Sequence, residues 1–548
     1  MTEGSISGKM IRFAVPVFIG NLFQQLYNTA DALIVGNFVG NDALAAVSAT
    51  GNLVFLLISF FGGVSMGAGV VTSRYFGARD EKKMRLSIHT TVAFNLVVGL
   101  VLTAAGTTLT PWLLRLMGTP EDVMDLSVTY IRVFFAGSMG LVMYNSLCGI
   151  MRAVGDSRSP LVYLIISSAL NVVLDLLFVA VFSLGVTGAA LATILAQFIS
   201  AILCAVKLLR THDSHRIVIR EIGFDREMTV LIVRYGLPTG LQNSVIAIAN
   251  VVVQSNINAF GTMAVSGCGA YSKIEGFAFL PITSFQMALT TFVGQNLGAG
   301  EYDRAKKGAR FGILCSIAAA ELIGVAIYLS APYLIGAFTK EPEAIAFGVR
   351  KAQICSVFFF LLAASHCLSA VLRGAGKASI PMLAMLIFWC VVRVAFIAVA
   401  MPYFRSIDVV NWVYPLTWLL STIFLIVYYV RADWLHSFDK AYIQFVEKER
   451  TQYGDRSRGH RFCGYQGLPR GSVYPRRAQR RQRTVCARRR GAQCGGGYRQ
   501  CGAASGFRQH GRRHRRGRRG GTQAAQSPGQ HRLHRHHAGR HGPVAGRV

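Results

Sequence analysis

Twelve apolar stretches recur through this chain of 548 residues, at about 13–38, 49–73, 86–109, 127–151, 160–183, 185–206, 229–260, 268–294, 311–330, 347–372, 380–403 and 409–430. About 20 apolar residues cross the ~30 Å interior of a bilayer as a helix, and that interior offers no partner to an unpaired backbone group. The pattern implies an all-α polytopic membrane protein with twelve transmembrane helices. The first stretch is long, broken by polar residues and without a small-residue cleavage site, so it is expected to remain as the first spanning helix.

Lys and Arg at the helix ends set the orientation. With the N-terminus cytoplasmic, the cytoplasmic positions up to residue 431 hold 22 Lys and Arg, clustered in "SRYFGARDEKKMR" and "HRIVIREIGFDR". The opposite side holds Arg115, Arg132, Lys340, Arg350, Lys351 and Arg405. Both termini are therefore expected in the cytoplasm.

The chain also repeats itself. "GIMRAVGDSRSPL" returns as "AVLRGAGKASIPM", with Arg152, Gly155 and Pro160 matching Arg373, Gly376 and Pro381 at one offset of 221 residues. The same shift takes Gly77 onto Gly298 and Gly40 onto Gly261, while Pro16 and Pro238 lie one residue off it. A shared offset across separate loops indicates duplication. Two bundles of six helices follow, residues 1–210 and 229–431, joined by a cytoplasmic linker at 211–228. An even helix count makes both bundles enter the membrane in the same sense. Transporters of this plan hold substrate between the halves and rock them around it.

Ionisable groups at bilayer depth cost about 2.5–3.5 kcal/mol on insertion scales, so each needs a partner or a task. Within the apolar stretches stand Asp31, Asp175, Lys273, Glu275, Glu321 and Arg393. Asp31, Asp175 and Thr193 each fall about 7 or 8 residues from the outer end of helices 1, 5 and 6, roughly 10–12 Å deep. In "NVVLD", Asn171 is one turn deeper than Asp175 on the same face. Two carboxylates, an amide oxygen and a hydroxyl at one level suit a hard monovalent cation, or a proton exchanged between the acids. Asp31, Asn171, Asp175 and Thr193 form the candidate coupling site, the bland alternative being polar residues that only tie helices together. The second half does not copy it, since the shift places Phe396 opposite Asp175 and Val252 or Val253 opposite Asp31. There Glu275 and Lys273 are the candidates for a substrate cavity, while Arg393 and Glu321 read as structural. Pro16, Pro238 and Pro281 fall inside apolar runs and are expected to kink them.

Of the eleven Cys, the seven before residue 455 form no C-x-x-C and no Cys/His cluster with zinc spacing, so they read as packing residues. No cofactor is expected, and no metal beyond Na⁺ at the coupling site.

"YNTADALIVGNFVGNDALAAVS", "NVVLD", "FVGQNLGAGEYDRAKK" and the repeated "MRAVGDSRSP" and "LRGAGKASIP" together resemble the multidrug and toxic compound extrusion (MATE) family, its DinF-like branch more than its NorM-like one. The resemblance covers residues 10 to about 450. It implies two bundles around a cavity open alternately to each side, and export of amphipathic, often cationic compounds against Na⁺ or H⁺ entry. It also implies a monomer in a prokaryotic plasma (inner) membrane. The acid on helix 1, the Asn-x-x-x-Asp pair on helix 5 and the Thr on helix 6 of that branch fall on Asp31, Asn171, Asp175 and Thr193. NorM-like members carry further acids on helices 7 and 10, and this chain has none in either span. The alternative function is a flippase for a lipid-linked precursor, which would need several cations lining the cavity. An enzyme is not indicated, since no H-E-x-x-H, G-x-S-x-G or phosphate-binding glycine loop is present.

Residues 432–453 are expected to form an amphipathic helix on the inner membrane surface. Residues 456–548 hold 24 Arg and no Asp, Glu or Lys, which accounts for most of the formal charge of +31. Such a segment, 454–548, cannot build a core. So selective a residue set is what a GC-rich coding region yields in a shifted frame, and that reading is preferred to an RNA-binding tail; no nucleic-acid partner is expected.

Overall fold

A computed structural model describes residues 1–39, 41–116 and 121–437. The expected amphipathic helix beyond Ser437, and the tail after it, lie outside the described residues. Residues 432–436 turn, and Trp434 is buried, stacked on Tyr429 at 5.1 Å.

Each apolar stretch is a helix. In the first bundle these are α1 (Ile6–Phe38), α2 (Asn41–Gly77), α3 (Glu81–Leu116), α4 (Glu121–Ala136, continuing as Ser138–Ala153), α5 (Arg158–Val181) and α6 (Gly185–Arg210). In the second they are α7 (Arg226–Asn258), α8 (Thr262–Gly298), α9 (Tyr302–Gly336), α10 (Pro342–Ser356, continuing as Phe359–Gly374), α11 (Ser379–Phe404) and α12 (Ile407–Arg431). Among the described residues nine helices are long and apolar enough to span a bilayer, and the two bent pairs bring that to eleven. α2, at 37 residues, is the twelfth in the order expected. Several helices outrun their apolar stretch: α9 opens with "YDRAKKGAR", polar turns that carry the helix past the bilayer. Leu100, Val101, Leu322 and Leu329 are 61–73% exposed, as lipid-facing side chains should be.

The irregularities have local causes. α4 bends by 47° and α10 by 54° at short breaks. The break in α10 frees the Phe360 N–H, which donates to the Glu321 carboxylate of α9 at 3.0 Å. Glu321 thus bonds a neighbouring helix, as expected, and caps it. Pro16, Pro238 and Pro281 lie inside α1, α7 and α8. α5 opens into a π-helical turn, Leu176–Val181, directly after Asp175, and α11 does so over Leu386–Val392, directly before Arg393. Such turns re-aim side chains and often mark functional positions.

The two bundles exchange the starts of their first helices. Met10, Phe13, Ala14 and Val17 of α1 pack into the second bundle's core with Leu289 and Phe292. Met228, Ile232 and Tyr235 of α7 pack into the first bundle's core with Met84, Ile88 and Leu208. Small residues allow the crossing. Gly63 and Gly67 of α2 meet Gly240 and Gly236 of α7, where a Cβ on Gly63 would stand 2.6 Å from the Gly240 Cα. Two glycine pairs spaced by four let helix backbones touch.

Candidate functional site

In the first bundle, Asn171 and Thr193 line a cavity of about 10 Å³, room for about one water molecule. Tyr27 of α1, Ser167 and Ser168 of α5 and Gln197 of α6 complete its polar wall. Asn171 is 2% exposed, and neither its amide nitrogen nor its oxygen has a hydrogen-bond partner among the described residues. Asp175, one turn on, is fully buried at the start of the π turn. The structure thus brings Asn171 and Thr193 to one cavity with Asp175 a turn away on the same helix. Asp31 lies on α1 one turn beyond Tyr27, and its side chain is outside the described residues. A buried amide without a partner pays its full desolvation cost, an arrangement that a bound cation or water would relieve.

The second bundle holds a different set. The Tyr271 hydroxyl donates to Glu275 Oε1 at 3.5 Å. Arg393, 1% exposed, donates to Asn250 Oδ1 and Thr417 Oγ1, both at 3.0 Å, and stacks on Tyr414 at 4.7 Å. That is the structural role expected of it. Lys351 corrects the charge count of the outer side: it is 3% exposed, with its ammonium 5.4 Å from the Tyr271 ring and 5.1 Å from the Tyr414 ring. Aromatic faces offset the desolvation of such cations. Glu275 therefore sits beside this cluster, whereas Lys273 is exposed and makes no hydrogen bond or ion pair among the described residues. It shares a helix face with Gly276, which stands against Gln25 of α1.

A larger chamber lies between the bundles, about 100 Å³, lined by Ser65 and Ser73 of α2, Asn145 and Arg152 of α4, and Thr290 and Thr291 of α8. In the sequence Arg152 stands out only as a repeat marker, through its mirrored position with Arg373. Toward the Lys/Arg-rich face the chamber is sealed by a pair of repeat mates. A Cβ on Gly77 would collide with the Gln295 carbonyl, and one on Gly298 with the Arg74 carbonyl. Gln295 also donates to the Ala153 carbonyl at 2.6 Å, and Arg304 Nη1 to the Gly4 carbonyl at 2.7 Å. Helices from both bundles are thereby bolted together on that face.

Comparison with known proteins agrees with this architecture. The MatE family model matches residues 16–177 and again 238–399, one match to each bundle. The chain belongs to the MatE (MATE) family. It is 31% identical over 402 residues to the "Probable multidrug resistance protein YpnP" of Bacillus subtilis, covering 72% of this chain and 89% of that protein. It is 29% identical over 439 residues to the "Probable multidrug resistance protein YoeA" of the same organism, covering 78% and 94%. A solved structure, "Outward-facing conformation of a multidrug resistance MATE family transporter of the MOP superfamily", superposes with a TM-score of 0.73 at 25% identity over 78% of this chain and 95% of that one. MATE proteins are membrane transporters and not enzymes, and the duplicated match is the internal repeat seen in the sequence.

Proposed function

We propose that this MATE protein is a secondary active exporter that moves small amphipathic compounds out of the cell against Na⁺ or H⁺ entry. The observation that carries the reading is the buried polar pocket of the first bundle, where Asn171 has no partner and Thr193 and Asp175 lie beside it. Asp31, Asn171, Asp175 and Thr193 would hold the ion. Its binding changes the charge that α5 and α6 bury, and so biases which way the bundles rock. The relatives named for multidrug resistance support the export direction. The glycine seal supports a form closed on the Lys/Arg-rich face, which the positive-inside rule puts in the cytoplasm together with the N-terminus.

The expectation of cationic substrates rests on the family resemblance, and the chamber's own charge runs against it. A lipid-linked precursor is the second reading, because Arg152 is a cation facing the inter-bundle chamber that a diphosphate would suit. Export is tested in pump-deficient cells that carry the chain and are loaded with an amphipathic dye. Energising them should empty the dye, and an ionophore that collapses the ion gradients should stop it. Dye retention equal to that of cells without the chain contradicts the proposal.

A further inference from the structure

The chamber between the bundles carries the positive charge of Arg152 on its wall. Among the described residues that line it there is no Asp or Glu. The Arg152 guanidinium makes no hydrogen bond or ion pair among the described residues, and its Nε is buried. Asp156, one turn along, is committed elsewhere: it accepts from the Ser159 N–H at 3.0 Å and from the Ser159 hydroxyl at 2.6 Å. The repeat mate Arg373 donates to Gln242 Oε1 at 3.3 Å, although its Nε and Nη2 are buried without a partner.

Ser65 adds a second donor. It is 4% exposed, and its hydroxyl has no partner. The other polar side chains are partly spent on their own helices, since Asn145 donates to the Leu141 carbonyl at 2.9 Å and Thr290 to the Gln286 carbonyl at 2.9 Å. A half-buried guanidinium whose Nε is enclosed and a buried hydroxyl, both with nothing to bond, carry a desolvation cost that an oxyanion removes, and the guanidinium fork matches a carboxylate or phosphate with two parallel N–H donors. Opposed cations would be repelled on the same path.

We infer that the substrate this exporter carries bears an acidic group, an amphipathic carboxylate or phosphate whose oxyanion enters the chamber against Arg152 and Ser65. The volume of about 100 Å³ admits the acid and its nearest atoms, leaving the apolar remainder along the bundle interface. The inference rests on the exporter reading for its route. Binding to the purified chain needs no gradient, so the two can fail separately.

The test is fluorescence anisotropy on the full chain in detergent micelles, with carboxyfluorescein as the acid and tetramethylrhodamine methyl ester as a cation on the same ring skeleton. Carboxyfluorescein should bind, and Arg152→Gln should weaken it about tenfold or more, the scale of a lost charge-assisted pair. Arg152→Lys should recover part of the loss, and the rhodamine ester should be unaffected by either change. Asn145→Asp, which sets a carboxylate two turns from Arg152, should abolish carboxyfluorescein binding and strengthen that of the ester, a reversal that misfolding does not produce. Failure of carboxyfluorescein to bind the wild-type chain overturns the inference. So does carboxyfluorescein binding as tight as wild type in Arg152→Gln or in Asn145→Asp.

Discussion

Asn171 is buried at the polar pocket without a partner, and that state has opposite consequences for stability and for transport. Asn171→Leu removes two unsatisfied polar atoms from the interior. The variant should resist chemical unfolding better by about 1 kcal/mol, yet lose ion-driven efflux. A variant that is both less stable and fully active would reduce the pocket to helix packing. The pocket was legible because an amide and an acid one turn apart stand out inside an apolar run. Lys351 was not, and its neighbour shows why. Arg350 points outward into an exposed ion pair with Asp408 at 3.0 Å, while Lys351, turned about 100° around the helix, enters the bundle. Two adjacent cations near a helix end look alike in sequence, and which one faces inward depends on the rotation of α10.

At the scale of helices, closure depends on backbone contact between α2 and α8. Gly298→Val cannot close that contact without moving a carbonyl of α2. The seal should therefore open, and a cysteine placed at Thr290 should react with a membrane-impermeant thiol reagent from the Lys/Arg-rich side on the order of tenfold faster than in the unsubstituted background. An unchanged rate would show that the seal lies elsewhere. All twelve spans could be read from apolar length, and the matching of Gly77 with Gly298 from the repeat offset. That these two glycines stand at one another's helix could not, because an offset gives correspondence and not contact. The π turns after Asp175 and before Arg393 were equally hidden, since a slight widening of the helix leaves the apolar pattern unchanged.

For the whole molecule, the repeat predicts the architecture and also where it fails. Arg152 and Arg373 share a motif but not an environment: one faces the inter-bundle chamber and the other bonds Gln242. The polar pocket exists in the first bundle, and the second carries the Lys351, Arg393 and Glu275 cluster instead. Duplication set the scaffold, and divergence divided the work between the halves. The basic segment after residue 455 takes no part in this account, so truncation after Gly454 should leave efflux rates within about twofold of the full chain. Loss of efflux on truncation would give the tail a function. The most direct test of the coupling claim is efflux of an amphipathic dye from proteoliposomes under an imposed Na⁺ or pH gradient, wild type beside Asp175→Asn and Asp31→Asn. Dye movement that follows one gradient and falls to the protein-free rate in both folded variants is the result expected. Undiminished gradient-driven efflux in either variant would contradict the account.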